Sequence, residues 1–182
     1  MASTPEPRLV DLPPALGGPA GTTLITAWRL DARRYAAQWD SGWGAEHFGR
    51  RWNSKGQRAV YCSLDPATCL IEAAVHRGFE VLDAQPHVLS CLQLQAAGVR
   101  VVQPHELPDP AWLQGGGPSA GQQRWGNALL AEHGVVVLPS PVSRPSWNLV
   151  FSPEHAAGRW QLLAQQRLVV DSRLNPVPGA GS

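Results

Sequence analysis

Short segments in which apolar and polar residues alternate predict a protein rich in β-strands. TTLITAWRL at 22–30 and RAVYCS at 58–63 combine strand-like patterning with β-branched or aromatic residues. Further strands are predicted at 87–94, 99–102, 135–139 and 146–151, with a final pair near 160–164 and 166–171. A Pro/Gly-rich loop is expected from about 103 to 120.

Two longer segments have the pattern of helices. The first is predicted to begin at Asp65, a good capping residue followed by Pro66, and to end before Gly78. Its apolar residues recur at helical spacing and are expected to form a buried stripe: Ala67, Leu70, Ile71, Ala74 and Val75. The second helix is predicted over 121–134. Because the strands do not alternate regularly with these helices, the sequence favours an α+β fold over a doubly wound parallel sheet.

The overall composition describes one nearly neutral domain. The chain has 182 residues, of which 43% are hydrophobic and 16% are charged, enough to bury a single core. Fifteen Lys and Arg against fourteen Asp and Glu give a net charge of +1, so no broad attraction to nucleic acid is expected. Lys55 is the only lysine, and the chain has eight Trp. Charged ligands must therefore be held locally, largely by arginine.

The termini and the cysteines indicate a cytoplasmic protein. Residues 1–20 and 176–182 are rich in Pro and Gly and are predicted to be flexible tails around a domain at 21–175. No secretory leader or membrane-spanning run is recognised in the sequence. Cys62, Cys69 and Cys91 fit neither a metal knuckle nor a disulfide framework, so buried free thiols are expected.

Several polar residues stand where they could carry chemistry. Arg29 ends an apolar strand, where a buried cation needs an anion. The segment FGRRWNSKG at 48–56 suits a loop around a phosphate or a planar ring. The other candidates are Tyr61, Glu72, His76 and Ser140. Each candidate also has a purely structural interpretation. Arg29 could reach solvent, the segment at 48–56 could be a solvated turn, and Tyr61 could be a core residue. Glu72 and His76 could form an exposed pair, and Ser140 could begin a turn.

The order of these pieces resembles the RES-domain toxins of bacterial toxin–antitoxin pairs, named for an Arg, a Glu and a Ser. The matching pieces are AWRL with Arg29, GWGAEHFGRRWNSKGQRAVYCS with Arg51, Trp52, Asn53, Gly56 and Tyr61, DPATCLIEAAVH with Glu72 and His76, and VVVLPSPVSRPSWNLVFSPEH with Ser140 and Asn148. The closing VVDSRLN is also similar, so the resemblance covers about 21–175. Four motifs in order are more specific than any one of them.

This resemblance implies a compact α+β domain similar to the ADP-ribosyltransferase toxins, with a mixed, split β-sheet and flanking helices. It implies a toxin that depletes NAD by cleaving the nicotinamide–ribose bond with water or phosphate. NAD is then the substrate, and no further cofactor and no metal are expected. The implied partner is a cognate antitoxin of the Xre helix-turn-helix type that covers the active site, and neither direct DNA binding nor membrane binding is expected.

The chemistry of that reaction suggests roles for the matching residues. Nicotinamide leaves as a neutral molecule, so charge develops on the ribose as an oxocarbenium ion, which a carboxylate stabilises. We therefore expect Glu72 to act at the ribose. Arg29 and Arg51 are expected to bind the pyrophosphate, and Tyr61 and Trp52 the nicotinamide. Ser140 and Asn148 are expected to fix the amide or ribose, while Asn53 and His76 complete the substrate-binding set.

Alternative functions remain open from the sequence. The same pocket would serve a mono-ADP-ribosyltransferase that modifies a protein, and the fold could serve as a non-catalytic binding module. A nucleic-acid-acting toxin is disfavoured by the near-zero net charge, and a serine hydrolase by the lack of a GxSxG turn. Two departures from the family pattern concern the pocket: Arg50 stands where glycine is frequent, and Trp147 replaces residues that are often polar.

Overall fold

The structure is a computed structural model that describes residues 24–169. The predicted tails, 1–20 and 176–182, and the predicted domain limits at 21 and 175 lie outside the described residues. Most of the closing VVDSRLN segment lies outside them as well. Within the described part, the prediction of an α+β fold with a mixed sheet is confirmed.

Seven strands of the described residues form one sheet in the order β4-β5-β6-β2-β1-β3-β7. They are β1 (Leu24–Ala32), β2 (Val60–Ser63), β3 (His87–Gln95), β4 (Arg100–Val101), β5 (Val135–Pro139), β6 (Trp147–Phe151) and β7 (Trp160–Leu168). Strands β4 and β5 are parallel, whereas the other neighbours are antiparallel. The predicted pair of C-terminal strands is wrong, because β7 is one strand. Its pairing with β3 skips Leu163, which forms a bulge inside the strand.

The helices of the described residues include both that the sequence predicts. They are α1 (Trp43–Phe48), α2 (Pro66–Arg77), α3 (Phe79–Ala84) and α4 (Ala120–His133), with 3-10 helices at Arg33–Gln38, Pro104–Glu106 and Pro110–Leu113. The two last 3-10 helices lie in the predicted loop at 103–120. Helices α1 and α3 have six residues each, too short to show a helical period in the sequence. Within residues 24–169, no helix has the length and apolar character needed to cross a membrane.

Helix α2 begins as predicted but presents a different face to the sheet. The Asp65 carboxylate accepts a hydrogen bond of 2.8 Å from the Thr68 N–H, which caps the helix. The predicted buried stripe is wrong in three positions, because Ala67, Ile71 and Val75 are exposed. The helix instead turns its small residues and Glu72 toward the sheet, since a polar pocket lies beneath it. The spacing of the apolar residues therefore predicted the position of the helix correctly, but it did not predict which face of the helix packs against the sheet.

Apolar side chains pack on both halves of the sheet. Helices α2 and α3 cover β1 and β3 through a cluster that includes Cys69, Ala74 and Leu82. Helix α4 covers β5 and β6 through a second cluster that includes Leu130 and Val136. All three cysteines are buried and unbonded to one another, as the sequence predicts.

The two halves of the sheet meet at a narrow junction. Strands β1 and β2 are joined by the single residue pair Trp28 and Ser63, after which they separate. The ends that diverge, from Arg29 along β1 and from Cys62 along β2, border a pocket that α2 also lines. The sheet is thus continuous but nearly split, and the opening at the split positions the candidate site.

Replacement of Gly126 tests the packing of α4. A Cβ at this position would lie 2.2 Å from the carbonyl oxygen of Trp52, and backbone does not yield as a flexible side chain does. We expect Gly126→Ala to lower the free energy of unfolding by about 2–3 kcal/mol, measured by urea denaturation. Gly121→Ala in the same helix is the control, because its nearest neighbour would be 3.8 Å away. Equal unfolding midpoints for the two variants would contradict this packing.

Candidate active site

The candidate site is a cavity of about 450 Å³ at the split in the sheet. Its walls come from the diverging ends of β1 and β2, from α1, from residues 50–52 and from α2. Five of the lining residues are arginines and two are carboxylates, and several others are aromatic. This combination suits an anionic ligand that also carries planar rings.

Glu72 reaches the cavity from the inner face of α2 and is held at one oxygen. Its Oε1 accepts a 2.8 Å hydrogen bond from the Ser140 hydroxyl and a second hydrogen bond from the Asn148 amide. Only 14% of the Glu72 side chain is exposed. The carboxylate is therefore fixed in orientation, and its second oxygen, Oε2, is free of these two donors.

Ser140 and Asn148 are themselves fixed by neighbouring groups. The Ser140 hydroxyl accepts hydrogen bonds from the backbone N–H groups of Val142 and Ser143, each at 3.3 Å. The Asn148 Oδ1 atom accepts a hydrogen bond of 2.8 Å from Ser63, the residue paired with it across β2 and β6. Ser140 therefore does begin a turn, as its structural interpretation held, and it also orients Glu72.

His76 lies one helical turn after Glu72 and faces its second oxygen. The distance from Nε2 of His76 to Oε2 of Glu72 is 3.7 Å, and 43% of the histidine side chain is exposed. Burial lowers the pKa of His76, and the charges of Arg50, Arg51 and Arg77 lower it further, although Glu72 opposes them. The imidazole is thus biased toward its neutral form beside the carboxylate.

Arg29 meets the anion that its position in an apolar strand requires. Its guanidinium donates to both carboxylate oxygens of Asp31, at 2.8 and 2.7 Å, and to the carbonyl of Tyr61 at 3.0 Å. The bond to Tyr61 spans the opening between β1 and β2. Burial alone would lower the pKa of Arg29. The negative charge of Asp31 is the main effect in the opposite direction, and the pKa is raised overall. Three of the five N–H donors are therefore engaged by the protein itself.

Tyr61 organises the neighbouring loop through its hydroxyl. The hydroxyl donates to Oδ1 of Asn53 at 2.7 Å and accepts from the N–H of Trp52 at 3.1 Å. Asn53 is fully buried, and its amide donates to the carbonyls of Ala45, Ser54 and Gln57. Burial raises the pKa of Tyr61 above its usual range, so the hydroxyl stays protonated and able to donate. Asn53 does not line the cavity.

Arg51 and Trp52 follow in the same loop and pack against α4 and the loop before it. Arg51 donates to the carbonyls of Trp112 at 2.8 Å, Gln114 at 3.4 Å and Gly116 at 3.3 Å. Trp52 is 2% exposed and lies against the rings of Trp112 and Trp125. Both line the cavity, and the terminal NH₂ groups of Arg51 donate to backbone carbonyls, whereas its buried Nε has no hydrogen-bond partner among the described residues.

The cavity also contains residues that the sequence interpretation did not select. They are Asp31, Arg34, Tyr35, Trp43, Phe48, Ser63, Arg50 and Arg77. Asp31 could have been found, because residues two apart in a strand share a face and Arg29 needed an anion. Phe48 and Arg50 were included only as part of the candidate segment at 48–56, and Arg50 was also noted as a departure from the family pattern. Among residues 24–169, no group of three or more His, Cys, Asp and Glu side chains is arranged to hold a metal ion.

Comparisons with known proteins give a matching family and two similar proteins. A family model described as "RES domain" matches residues 26–171. The Toxin Res of Yersinia enterocolitica serotype O:8 / biotype 1B (strain NCTC 13174 / 8081) is 26% identical over 145 residues, which cover 78% of this chain and 92% of that protein. A crystal structure of the M. tuberculosis MbcT–MbcA toxin–antitoxin complex matches with a TM-score of 0.58 and 20% identity, covering 80% of this chain and 85% of that chain. The structural likeness shows a shared fold.

Replacement of Asp31 tests the buried ion pair. Asp31→Asn keeps the shape of the side chain but removes the charge that compensates Arg29. It also places the NH₂ group of the asparagine, a donor, opposite the N–H donors of the Arg29 guanidinium. We expect the free energy of unfolding to fall by about 3 kcal/mol, measured by urea denaturation. Asp40→Asn is the matched control, because its carboxylate has no hydrogen bond or ion pair within the described residues. A stability loss no greater than that of the control would show that the pair is dispensable.

Proposed function

The chain belongs to the RES domain family, and from this premise we propose that it is the toxin of a toxin–antitoxin pair and acts by depleting NAD. The reaction is cleavage of the N-glycosidic bond between nicotinamide and ribose. The single observation that carries the proposal is the fixed Glu72 carboxylate inside a cavity rich in arginine. NAD is a substrate in this proposal, and the residues described here perform the reaction without a further cofactor.

The bond that breaks explains why one carboxylate is central. The bonding electron pair leaves with nicotinamide, which departs as a neutral molecule and needs no acid. Positive charge then develops on the ribose, between its anomeric carbon and its ring oxygen. A carboxylate held next to that carbon stabilises the transition state more than the substrate, because the ribose is uncharged before the bond breaks.

The hydrogen bonds of Glu72 prepare it for this role. Ser140 and Asn148 both donate to Oε1, so the carboxylate does not need to reorient as charge develops. The second oxygen, Oε2, is left to face the ribose, with His76 nearby. Ser140 and Asn148 thus act as positioning residues in this mechanism, in place of the substrate contacts expected from the sequence.

The attacking nucleophile completes the reaction. With water, its oxygen bonds to the anomeric carbon and one proton passes to solvent, which gives ADP-ribose and nicotinamide. With inorganic phosphate, a phosphate oxygen forms the bond and the product is ADP-ribose 1″-phosphate. Both reactions use the same ribose cation and the same carboxylate. The dependence of the rate on phosphate concentration distinguishes them.

The partner proposed for this toxin is a cognate antitoxin of the Xre helix-turn-helix type that covers the cavity. The structural relative comes from a complex described as toxin–antitoxin, which supports a partner of that kind. Large aromatic side chains at the cavity wall are exposed, with Tyr35 and Trp43 at 49% and Phe48 at 68%. Exposed aromatic residues beside a cavity are suited to burial under a partner segment. The proposed location of both proteins is the cytoplasm, where NAD is available.

Replacement of Glu72 tests the proposed reaction. We expect the full-length protein to release nicotinamide from NAD, and Glu72→Gln to release it at least about a hundredfold more slowly, because the amide cannot stabilise a developing cation. Free nicotinamide is followed by chromatography. Glu132→Ala, at an exposed position of α4, is the control and should retain the wild-type rate.

Each result of that experiment bears on a separate statement. Nicotinamide release by Glu72→Gln at the wild-type rate would refute the role of Glu72. No release by the wild-type protein would refute NAD cleavage itself. ADP-ribose that stays attached to protein, detected by mass spectrometry of a treated cell extract, would instead support the mono-ADP-ribosyltransferase.

A further inference from the structure

The positive charges of the cavity are divided between groups that the protein already uses and groups that it leaves available. The five cavity arginines are Arg29, Arg34, Arg50, Arg51 and Arg77. Arg29 is bound to Asp31, Arg51 donates to loop carbonyls, and Arg34 lies over the ring of Tyr35 at 4.9 Å. Among the side chains described within residues 24–169, which do not include Asp83, the guanidinium groups of Arg50 and Arg77 have no hydrogen bond or ion pair. Arg34 has none either, but it is exposed, whereas Arg50 and Arg77 are partly buried.

The main chain at Arg50 is held firmly although its side chain is free. The N–H of Arg50 donates to the carbonyl of Asn53 at 2.9 Å, and the carbonyl of Arg50 accepts from the Gln123 amide at 2.9 Å. Gly49 precedes it with a φ of 66°, a backbone conformation that favours glycine and sets the direction of the loop. The anchored backbone fixes the point from which the Arg50 side chain extends, so only its side-chain torsions have to be ordered when a ligand binds.

Arg77 stands on the same helix as Glu72. It is the last residue of α2, five positions after Glu72, which corresponds to a rise of roughly 7.5 Å along the helix axis. That separation is comparable with the span of one ribose 5-phosphate. Because both residues also line the cavity, a ligand whose ribose lies at Glu72 and which extends along α2 toward its C-terminus brings its phosphate to Arg77.

Arg50 and Arg77 share one electrostatic environment. The pKa of Arg77 is lowered, mainly by burial and also by the positive charges of Arg29 and Arg50. The negative charge of Asp31 acts in the opposite direction and raises it. Like charges gathered in a half-buried cavity repel one another unless an anion enters. A pyrophosphate, with one negative charge on each phosphate, would relieve this repulsion and accept paired hydrogen bonds from both planar groups.

From these observations we infer that Arg50 and Arg77 form the pyrophosphate subsite of the cavity. This assignment rests on the proposed function and replaces Arg29 and Arg51, which the sequence interpretation had favoured. Arg29 then secures the split in the sheet, and Arg51 secures the loop at 50–57. The nicotinamide ribose lies at Glu72, and the adenosine half of the dinucleotide extends past the two free arginines.

Two measurements on the full chain test this subsite. The first is the KM and kcat of nicotinamide release from NAD, and the second is the dissociation constant of ADP-ribose, measured by calorimetry. We expect Arg50→Ala and Arg77→Ala each to raise both the KM and the dissociation constant by about tenfold to a hundredfold. The kcat should stay within about twofold of the wild-type value, because these residues bind the substrate equally before and during bond cleavage.

Arg124→Ala is the matched control, because Arg124 is an exposed arginine of α4 that does not line the cavity. If an alanine variant does not fold, which thermal unfolding will reveal, Arg50→Gln and Arg77→Gln take its place. The conservative variants Arg50→Lys and Arg77→Lys should recover part of the ADP-ribose affinity, since they keep the charge but lose the planar fork.

The outcomes separate this inference from the proposed function. ADP-ribose affinity equal to that of Arg124→Ala would overturn the subsite even if NAD cleavage is observed. A lower kcat with an unchanged KM would also overturn it, because the two arginines would then act on the reacting carbon. A raised KM for inorganic phosphate alone would assign them to the nucleophile instead. If the wild-type protein cleaves no NAD but binds ADP-ribose through Arg50 and Arg77, the subsite stands and the proposed reaction fails.

Discussion

The ion pair between Arg29 and Asp31 is the constraint on which the rest of the site depends. Strands β1 and β2 share one residue pair, and beyond it their backbones are too far apart for ladder hydrogen bonds. The Arg29 guanidinium fills this gap, since it is held by Asp31 on its own strand and donates to the Tyr61 carbonyl on the other. An unpaired cation would be costly at this depth. The paired one keeps the sheet open at a fixed width, and the cavity occupies that opening.

The open sheet in turn determines how α2 packs. A helix over a closed sheet would turn its apolar stripe inward, whereas this one covers a polar cavity and turns Glu72 inward. Ser140 and Asn148, from the strands beyond the opening, supply the donors that make a half-buried carboxylate tolerable there. The cost appears on the outer face, where Ile71 and Val75 remain 43% and 64% exposed. The proposed binding function accounts for an arrangement that core packing alone would not favour.

These dependencies explain how far the sequence could be interpreted. Local signals sufficed for strands β1 to β6, for both long helices and for the Asp65 cap, because each depends on neighbouring residues. The anion beside Arg29 was within reach of the same reasoning, since Asp31 is two residues away. The partners of Glu72 were not, because they lie 68 and 76 positions along the chain and meet it only through the topology of the sheet. The roles of Tyr61 and Asn53 could not be predicted either, because the sequence does not show whether a tyrosine hydroxyl contacts a loop of the protein or a substrate.

The distribution of arginines follows from the same physical limits. A guanidinium can hold a sheet or a loop together only by using its donors on carboxylates and carbonyls, so Arg29 and Arg51 have few left for a ligand. An arginine that recognises a ligand must keep its donors free and must accept the repulsion of its neighbours until that ligand arrives. Arg50 and Arg77 meet this condition, and the chain's net charge of +1 is compatible with it because five arginines and two carboxylates line one cavity. The proposed recognition of an anion therefore depends on which arginines are left unpaired, and their total number is a poor guide to it.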